Sequence, residues 1–277
     1  MPLTTPVDLG TAGDFAVLST TSLTGTATTT VSGGNVGCIG AITGFSTGYI
    51  TSGIEASAEA TALAISDLTI AIAEVTSRTG GTLLPAEIGG QTLTPGLYRT
   101  TGAATMATSI TLDGVGNYVF QIPAALGVSA GADVILINGA EPDSIFWQVT
   151  GAYTSAAGTM WNGSVLGGAA VSTACTAGEE VAGTCGVNGR MLTKLGAMIL
   201  TNTMLAFSYS AATLAIFATA ERALIIAALT NLAPFSLTIP TGEIVVITPE
   251  FGDSATSIVK SIVDTYTLTP NNIRMVW

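Results

Sequence analysis

The chain has 277 residues, 48% of them hydrophobic and only 9% charged, and its 18 acids against 7 bases give a formal net charge of −11. That length holds one large or two ordinary domains with a substantial core, and the acidity argues against a nucleic-acid backbone or an anionic membrane as partner. Histidine is absent, which removes the commonest general base and metal ligand, so neither a cofactor nor a metal site is expected.

Taken in order, Asp8 to Gly44 reads as β structure: Phe15-Ala16-Val17-Leu18 is a short strand, and the Thr/Ser run from Ser19 to Ser32 is strongly β-branched. The period changes between Ser52 and Arg78. Ile54, Ala58, Ala62, Ile65, Leu68, Ile72 and Val75 recur at threes and fours, which predicts an amphipathic helix over 52–78. Ser52 with Glu55 three residues on would cap it, and Gly80-Gly81 would end it. Pro95-Gly96 then supplies a turn back into strands, and Ser109 to Asp113 precedes a series of echoes.

Val119-Phe120-Gln121-Ile122 is repeated by Ile145-Phe146-Trp147-Gln148-Val149, by Ser164-Val165-Leu166 and by Arg190-Met191-Leu192. Val149 to Leu166 spans 17 residues, which suits one turn of a three-sided parallel coil with about five or six residues per side. The other intervals, 27 from Gln121 to Gln148 and 26 from Leu166 to Leu192, each hold a segment that reads as inserted: Gly139 to Asp143, and Cys175 to Cys185. Gly139, Gly163 and Gly189 mark the corners. Met198 to Thr203 closes the coil pattern. Beyond Ala206 it stops. Ala211 to Ala233 is apolar and reads as a packed helix, because Glu221-Arg222 at its centre would be costly in a bilayer; Phe235 to Pro249 suggests two strands.

Ile145-Phe146-Trp147-Gln148-Val149 followed by Val187-Asn188-Gly189-Arg190 resembles the microbial ice-binding (antifreeze) family. So do Val7-Asp8-Leu9-Gly10 with Phe15 to Leu18, Gly34-Asn35-Val36-Gly37, Ile42-Thr43-Gly44-Phe45 and Leu93 to Tyr98, all in matching order over roughly residues 7–205. The resemblance implies a mainly β fold: an irregular right-handed β-helix, a three-sided solenoid, with one long α-helix packed alongside. The expected division is an ice-binding-like domain over 1–205, carrying the helix 52–78, and a C-terminal extension or cap over 206–277. It also implies a secreted protein, although Met1-Pro2-Leu3 opens without the basic and apolar regions of a signal peptide.

Other chemistries fare worse. A polysaccharide-active β-helix needs clustered carboxylates, whereas Asp113, Asp133, Glu141, Asp143, Glu179 and Glu180 are scattered, and serine hydrolysis has no base in a recognisable motif. The chain is therefore expected not to be an enzyme; an extracellular adhesin or matrix protein is the alternative reading. Phe146 and Trp147 could stack on sugars, but alternation turns one of them inward and the resemblance makes both structural. Asn162-Gly163-Ser164 is a glycosylation sequon by pattern. A bridge between Cys175 and Cys185 would close a small loop and leave Cys38 as a buried free thiol, a pairing that spacing alone leaves open.

Outward Thr on a sheet is ordinary β-propensity, but strands stacked ~4.8 Å apart with outward residues ~6.6 Å apart form a regular grid. Residues 15–54 and 144–178 contain no charge, which suits a surface that orders water. Thr24, Thr26 and Thr28 lie in a run similar to the short Thr-containing element of some family ice faces. Aligning the later coils by their echoes adds Thr105, Ser129, Thr154, Ser172 and Thr201, with Gly127 and Ile199 breaking the pattern. The implied partner is an ice crystal surface, and the implied state a monomer.

Overall fold

The computed structural model describes residues 5–26, 28–50, 53–177 and 185–206, together with the backbone of Val245–Ile247 and Ile273–Met275. It divides into two compact units, Met1–Ser208 and Tyr209–Trp277. In the second, Val245–Ile247 pairs in parallel with Ile273–Met275; the expected helix over 211–233 and most of the expected strand pair lie outside the described residues.

The first unit is built of short parallel strands and one helix. From Gly96 onward the chain visits three sides in rotation, so each strand pairs with one a full circuit earlier or later. The first side, called the covered sheet, is ordered Asn35–Cys38, Phe15–Ser19, Met191–Thr193, Ser164–Gly167, Ile145–Val149, Tyr118–Ile122, Gly96–Arg99 and Thr82–Leu83. The second, the open sheet, is ordered Ala41–Thr43, Ser22–Gly25, Ala197–Thr201, Val171–Ala174, Tyr153–Ser155, Leu126–Val128 and Ala104–Met106. The third side is two sheets, Val134–Ile137 with Ile110–Asp113 and Thr92–Leu93, and Met160–Asn162 with Gly186–Asn188, Met204–Ala206 and Thr30–Ser32. Between Val134–Ile137 and Met160–Asn162 side chains replace the ladder: the Met160 N–H donates to Asp133 Oδ1 (2.7 Å) and Asn162 Nδ2 to the Val134 carbonyl (2.7 Å). Asn162, the sequon residue, is thus part of the scaffold.

The first strands in the sequence do not stand beside the next ones made after the helix. Val17 pairs with Met191, Leu23 with Met198 and Val31 with Leu205, so the N-terminal circuit docks on the last one. The helix makes this possible. At 1.5 Å per residue its 20 residues span ~30 Å, about six strand spacings of ~4.8 Å, and it returns the chain to the far end of the stack.

The helix runs Ala58–Ser77, with Ser57 as N-cap accepting the Ala60 N–H at 3.2 Å. The expected start at Ser52 is therefore too early; Ser52 itself lies outside the described residues. Ile54 to Ala56 is drawn into extended pairing instead, since Val36 N–H donates to Ile54 O (2.9 Å) and Ala56 N–H to Val36 O (2.8 Å). The buried stripe is Thr61, Ala64, Leu68, Ala71, Ile72 and Val75, so Ala58 and Ala62, expected inside, face water. Small residues at 64 and 71 let the helix approach the covered sheet, where Leu18, Leu97, Val119, Phe146, Leu166 and Leu192 meet it. Its last carbonyls are satisfied by Gln121 Nε2, which donates to Val75 O (2.6 Å) and Arg78 O (2.9 Å).

Phe146 thus lies under the helix, while its neighbour Trp147 points inside the coil; both are buried. Inside, Tyr98, Phe120 and Trp147 stack on successive strands with ring centroids 5.3 and 3.8 Å apart. The echo segments pair as expected for Gln121 with Gln148 and Leu166 with Leu192, but the short interval is corrected by one residue: Val149 faces Gly167, and Leu166 faces Gln148. One circuit there is 18 residues, not 17. At the Gly163 and Gly189 corner a Cβ on Gly189 would come 2.2 Å from the Gly163 carbonyl oxygen, so only glycine fits.

Cys175 and Cys185 are disulfide-bonded, with Cα atoms 5.9 Å apart. Cys38 is free as expected but only half-buried, not buried, because its strand lies at the edge of the covered sheet; its sulfur accepts Ser19 Oγ at 3.1 Å. The strand Met204–Ala206 pairs with both Gly186–Asn188 and Thr30–Ser32, so a boundary at 205/206 cuts through a strand. Both ends of the stack have covering segments: Phe45 packs on Gly25 and stacks on Tyr49 (4.2 Å) at one, and Leu84 and Ile88 hydrogen-bond to Arg99 and Thr105 at the other.

Candidate functional site

Nothing described packs on the open sheet as the helix packs on its neighbour. Along each of its strands, alternation turns apolar residues such as Leu23, Met106, Leu126, Tyr153, Val171 and Met198 into the coil and their neighbours outward. In register across seven strands the central outward rank is Thr43, Thr24, Ile199, Ser172, Thr154, Gly127 and Thr105. Four of the expected residues, Thr24, Ser172, Thr154 and Thr105, therefore share one line, interrupted where expected by Ile199 and Gly127.

Two residues further along each strand lies a second rank. Thr201 pairs with Ala174, Thr26 follows the Gly25–Leu200 pair, and Ser129 follows Val128, which faces Ser155 and Met106. Thr26, Thr201 and Ser129 are thus brought together with Ala174, Ala156 and Ala107. Thr28 is not. It sits in the turn beyond Ser22–Gly25, and its Oγ1 donates to Asn202 Oδ1 at 2.7 Å. Thr26 Oγ1 also donates to Asn202 Oδ1 (2.9 Å) and accepts the Asn202 N–H (2.7 Å), so these hydroxyls clasp the first circuit to the last.

A third rank, two residues before the first, is Ala41, Ser22, Ala197, Ala170, Ala152, Ala125 and Ala103. The first three pair directly, and the ladder bonds Tyr153 N–H to Ala170 O, Leu126 N–H to Ala152 O and Ala104 N–H to Ala125 O carry the register on. The sequence reading misses this rank. Its signal is Ala-x-Thr, Ser-x-Thr or Ala-x-Ser on five of the seven strands, as in Ala103-Ala104-Thr105 and Ala152-Tyr153-Thr154, but alanine gives no hydropathy contrast to mark it as outward.

The three ranks together present methyl and hydroxyl groups without one charged side chain, over about 29 Å along the stack by about 13 Å across it. Among the described residues a carboxylate stands at the end of the face. Glu87 bridges beside Thr105 and accepts Thr105 Oγ1 (2.7 Å), Ala107 N–H (2.8 Å) and Gly89 N–H (2.9 Å). Burial raises its pKa, but these three hydrogen bonds outweigh that and hold the carboxyl below its ordinary value. The methyl and hydroxyl groups of the three ranks include no carboxylate, imidazole or thiol; such an array can order a layer of water.

Residues 17–206 match the Ice-binding-like family. An ice-binding protein of Flavobacterium frigoris is 30% identical over 219 residues, covering 72% of this chain and 75% of that one. One from a Colwellia species is 32% identical over 219 residues, 72% and 83% of the two chains. The crystal structure of an ice-binding protein from the Antarctic ascomycete Antarctomyces psychrotrophicus superposes with a TM-score of 0.65 at 26% identity, covering 74% of this chain and all of that one. With well over half its length matched to that family, this chain belongs to the ice-binding-like proteins.

Proposed function

We propose that the protein adsorbs to ice through the open sheet, and that the scaffold behind it is a right-handed, three-sided β-helix. The observation that carries this reading is the charge-free grid of three outward ranks on seven strands. Strand spacing of ~4.8 Å and side-chain spacing of ~6.6 Å lie near the repeats of ordered water in ice. A methyl beside a hydroxyl holds such water by partial caging and hydrogen bonding together, whereas a charge would orient water around itself. Each contact is weak, but the stacked aromatics and the packed helix fix the face beforehand, so little ordering entropy is lost on adsorption. The names of the relatives, all ice-binding proteins, support the same reading. It implies a freezing point lowered without equal lowering of the melting point, and inhibited recrystallisation.

The reading is non-enzymatic, and two acids of the coils serve the scaffold: Asp133 holds Met160, and Asp113 Oδ1 accepts Asn138 Nδ2 at 2.6 Å. It takes the protein as secreted and monomeric, with ice as its partner and neither nucleic acid nor membrane. The helix Ala58–Ser77 is long and apolar enough to cross a bilayer, but its apolar stripe is engaged by the covered sheet. The test is a single ice crystal grown in dilute protein. Shaped growth and thermal hysteresis are expected, both lost in Thr154→Tyr, which raises a bulky ring from the middle of the grid without touching the core. Unshaped ice with the unmodified protein would defeat the reading; full activity in Thr154→Tyr would move the contact to another side.

A further inference from the structure

We propose that Gly127 and Ile199 are the positions that limit how strongly this face holds ice, an inference that rests on the ice-contact reading above. Gly127 stands between Thr105 and Thr154 in the central rank, so it leaves a gap of about 10 Å between their side chains. Nothing in the fold requires a glycine there. It is absent from the positive-φ residues, and a Cβ built on it meets no atom within 4 Å. Gly25 on the same sheet is the opposite case, since a Cβ there would come 2.2 Å from Phe45. A threonine at 127 would therefore take the ordinary β-branched rotamer of a strand and stand level with its neighbours.

Ile199 interrupts the same rank between Thr24 and Ser172. It is 46% exposed, offers no hydroxyl and extends one carbon further from the sheet than threonine does. A crystal surface is rigid, so a side chain that is too tall holds its neighbours off the lattice, and one that is missing leaves a site unfilled. The two defects divide the rank into Thr43–Thr24, Ser172–Thr154 and an isolated Thr105.

Gly127→Thr and Ile199→Thr should each raise thermal hysteresis at equal molar concentration, in line with about twofold tighter adsorption, equivalent to about 0.4 kcal/mol at 1.4 kcal/mol per decade. The double variant should exceed both. Far-UV circular dichroism and melting temperature report folding, and Gly127→Ser carries the same test if the threonine variant does not fold. A folded variant at either position with unchanged or reduced hysteresis overturns the role of that position. The underlying reading fails separately: if the unmodified protein leaves ice unshaped, the contact itself is wrong, whereas if Thr154→Tyr abolishes shaping and Gly127→Thr changes nothing, only this inference falls.

Discussion

Cys175 follows the last residue of Val171–Ala174 on the open sheet, and Cys185 precedes Gly186–Asn188 on the third side. The bridge pins the corner between these two strands. With a sequence separation of 10, loop-closure entropy assigns the cross-link about 3 kcal/mol of stabilisation, exerted on the unfolded chain. Unfolding a body of roughly 200 residues carries an entropy near 0.4 kcal/mol per degree, so its loss should lower the melting temperature by about 7 °C. Thermal unfolding followed by circular dichroism, for the oxidised protein, the reduced protein and the Cys175→Ser, Cys185→Ser double variant, measures this. Ice shaping near 0 °C should survive, because Ser172 and Thr173 are held from both sides by the ladders to Thr154–Ser155 and Ile199–Leu200. A shift under about 2 °C would refute the entropic account. Loss of ice shaping in a reduced but folded protein would show that the corner supports the face.

Acid should weaken the end of the stack near Glu87. Its folded pKa lies below the ordinary 4.5, so its stabilising contribution is complete above that value and is lost as pH falls through the folded pKa; melting temperature against pH should drop below pH 4.5 and do so less steeply in Glu87→Gln, and identical profiles would contradict this. A chain ending at Thr203 loses the strand Met204–Ala206 from between its neighbours on either side, whereas one ending at Ser208 keeps it. We predict a lower melting temperature and more self-association for the shorter chain, read by calorimetry and size-exclusion chromatography, and equal behaviour would show that this strand contributes nothing.

Much of the circuit is legible because strand alternation repeats with it. Gln121 and Gln148, flanked by the same apolar and aromatic pattern, align as the structure aligns them. The one-residue slip at Leu166 has a physical cause: hydropathy matches Leu166 to Val149, but its partner Gln148 is a buried polar residue under the helix, satisfied by Thr150 Oγ1. The helix start misleads because propensity cannot register the bonds Val36 makes to Ile54 and Ala56. The Thr and Ser positions of the open sheet can be read from echoes, whereas the alanine rank needs the ladder itself. Thr28 shows the limit of composition: in a run of six Thr, Gly and Ala residues its hydroxyl belongs to Asn202, on the opposite end of the domain's sequence.

The docking of the first circuit on the last changes what the ends of this molecule are. In a linear solenoid the chain termini lie at the ends of the stack, so the outermost repeat can peel away without disturbing the rest. Here the circuit ending at Ala206 lies inside the stack, flanked on both sides, and the ends of the stack are mid-sequence segments joined through the helix. Fraying from the strand Met204–Ala206 would have to break the ladders on both of its edges at once, so this unit behaves as a closed loop of contacts and not as a zipper. Closure also arrives late in synthesis. Thr29 waits for Thr203, 174 residues further on, which at roughly 5–20 residues per second is about 10–35 s with the inner edge of the first circuit unpaired. The continuity of the open sheet from Thr24 to Ile199 and the late pairing of the nascent chain are consequences of the same wrap-around connection.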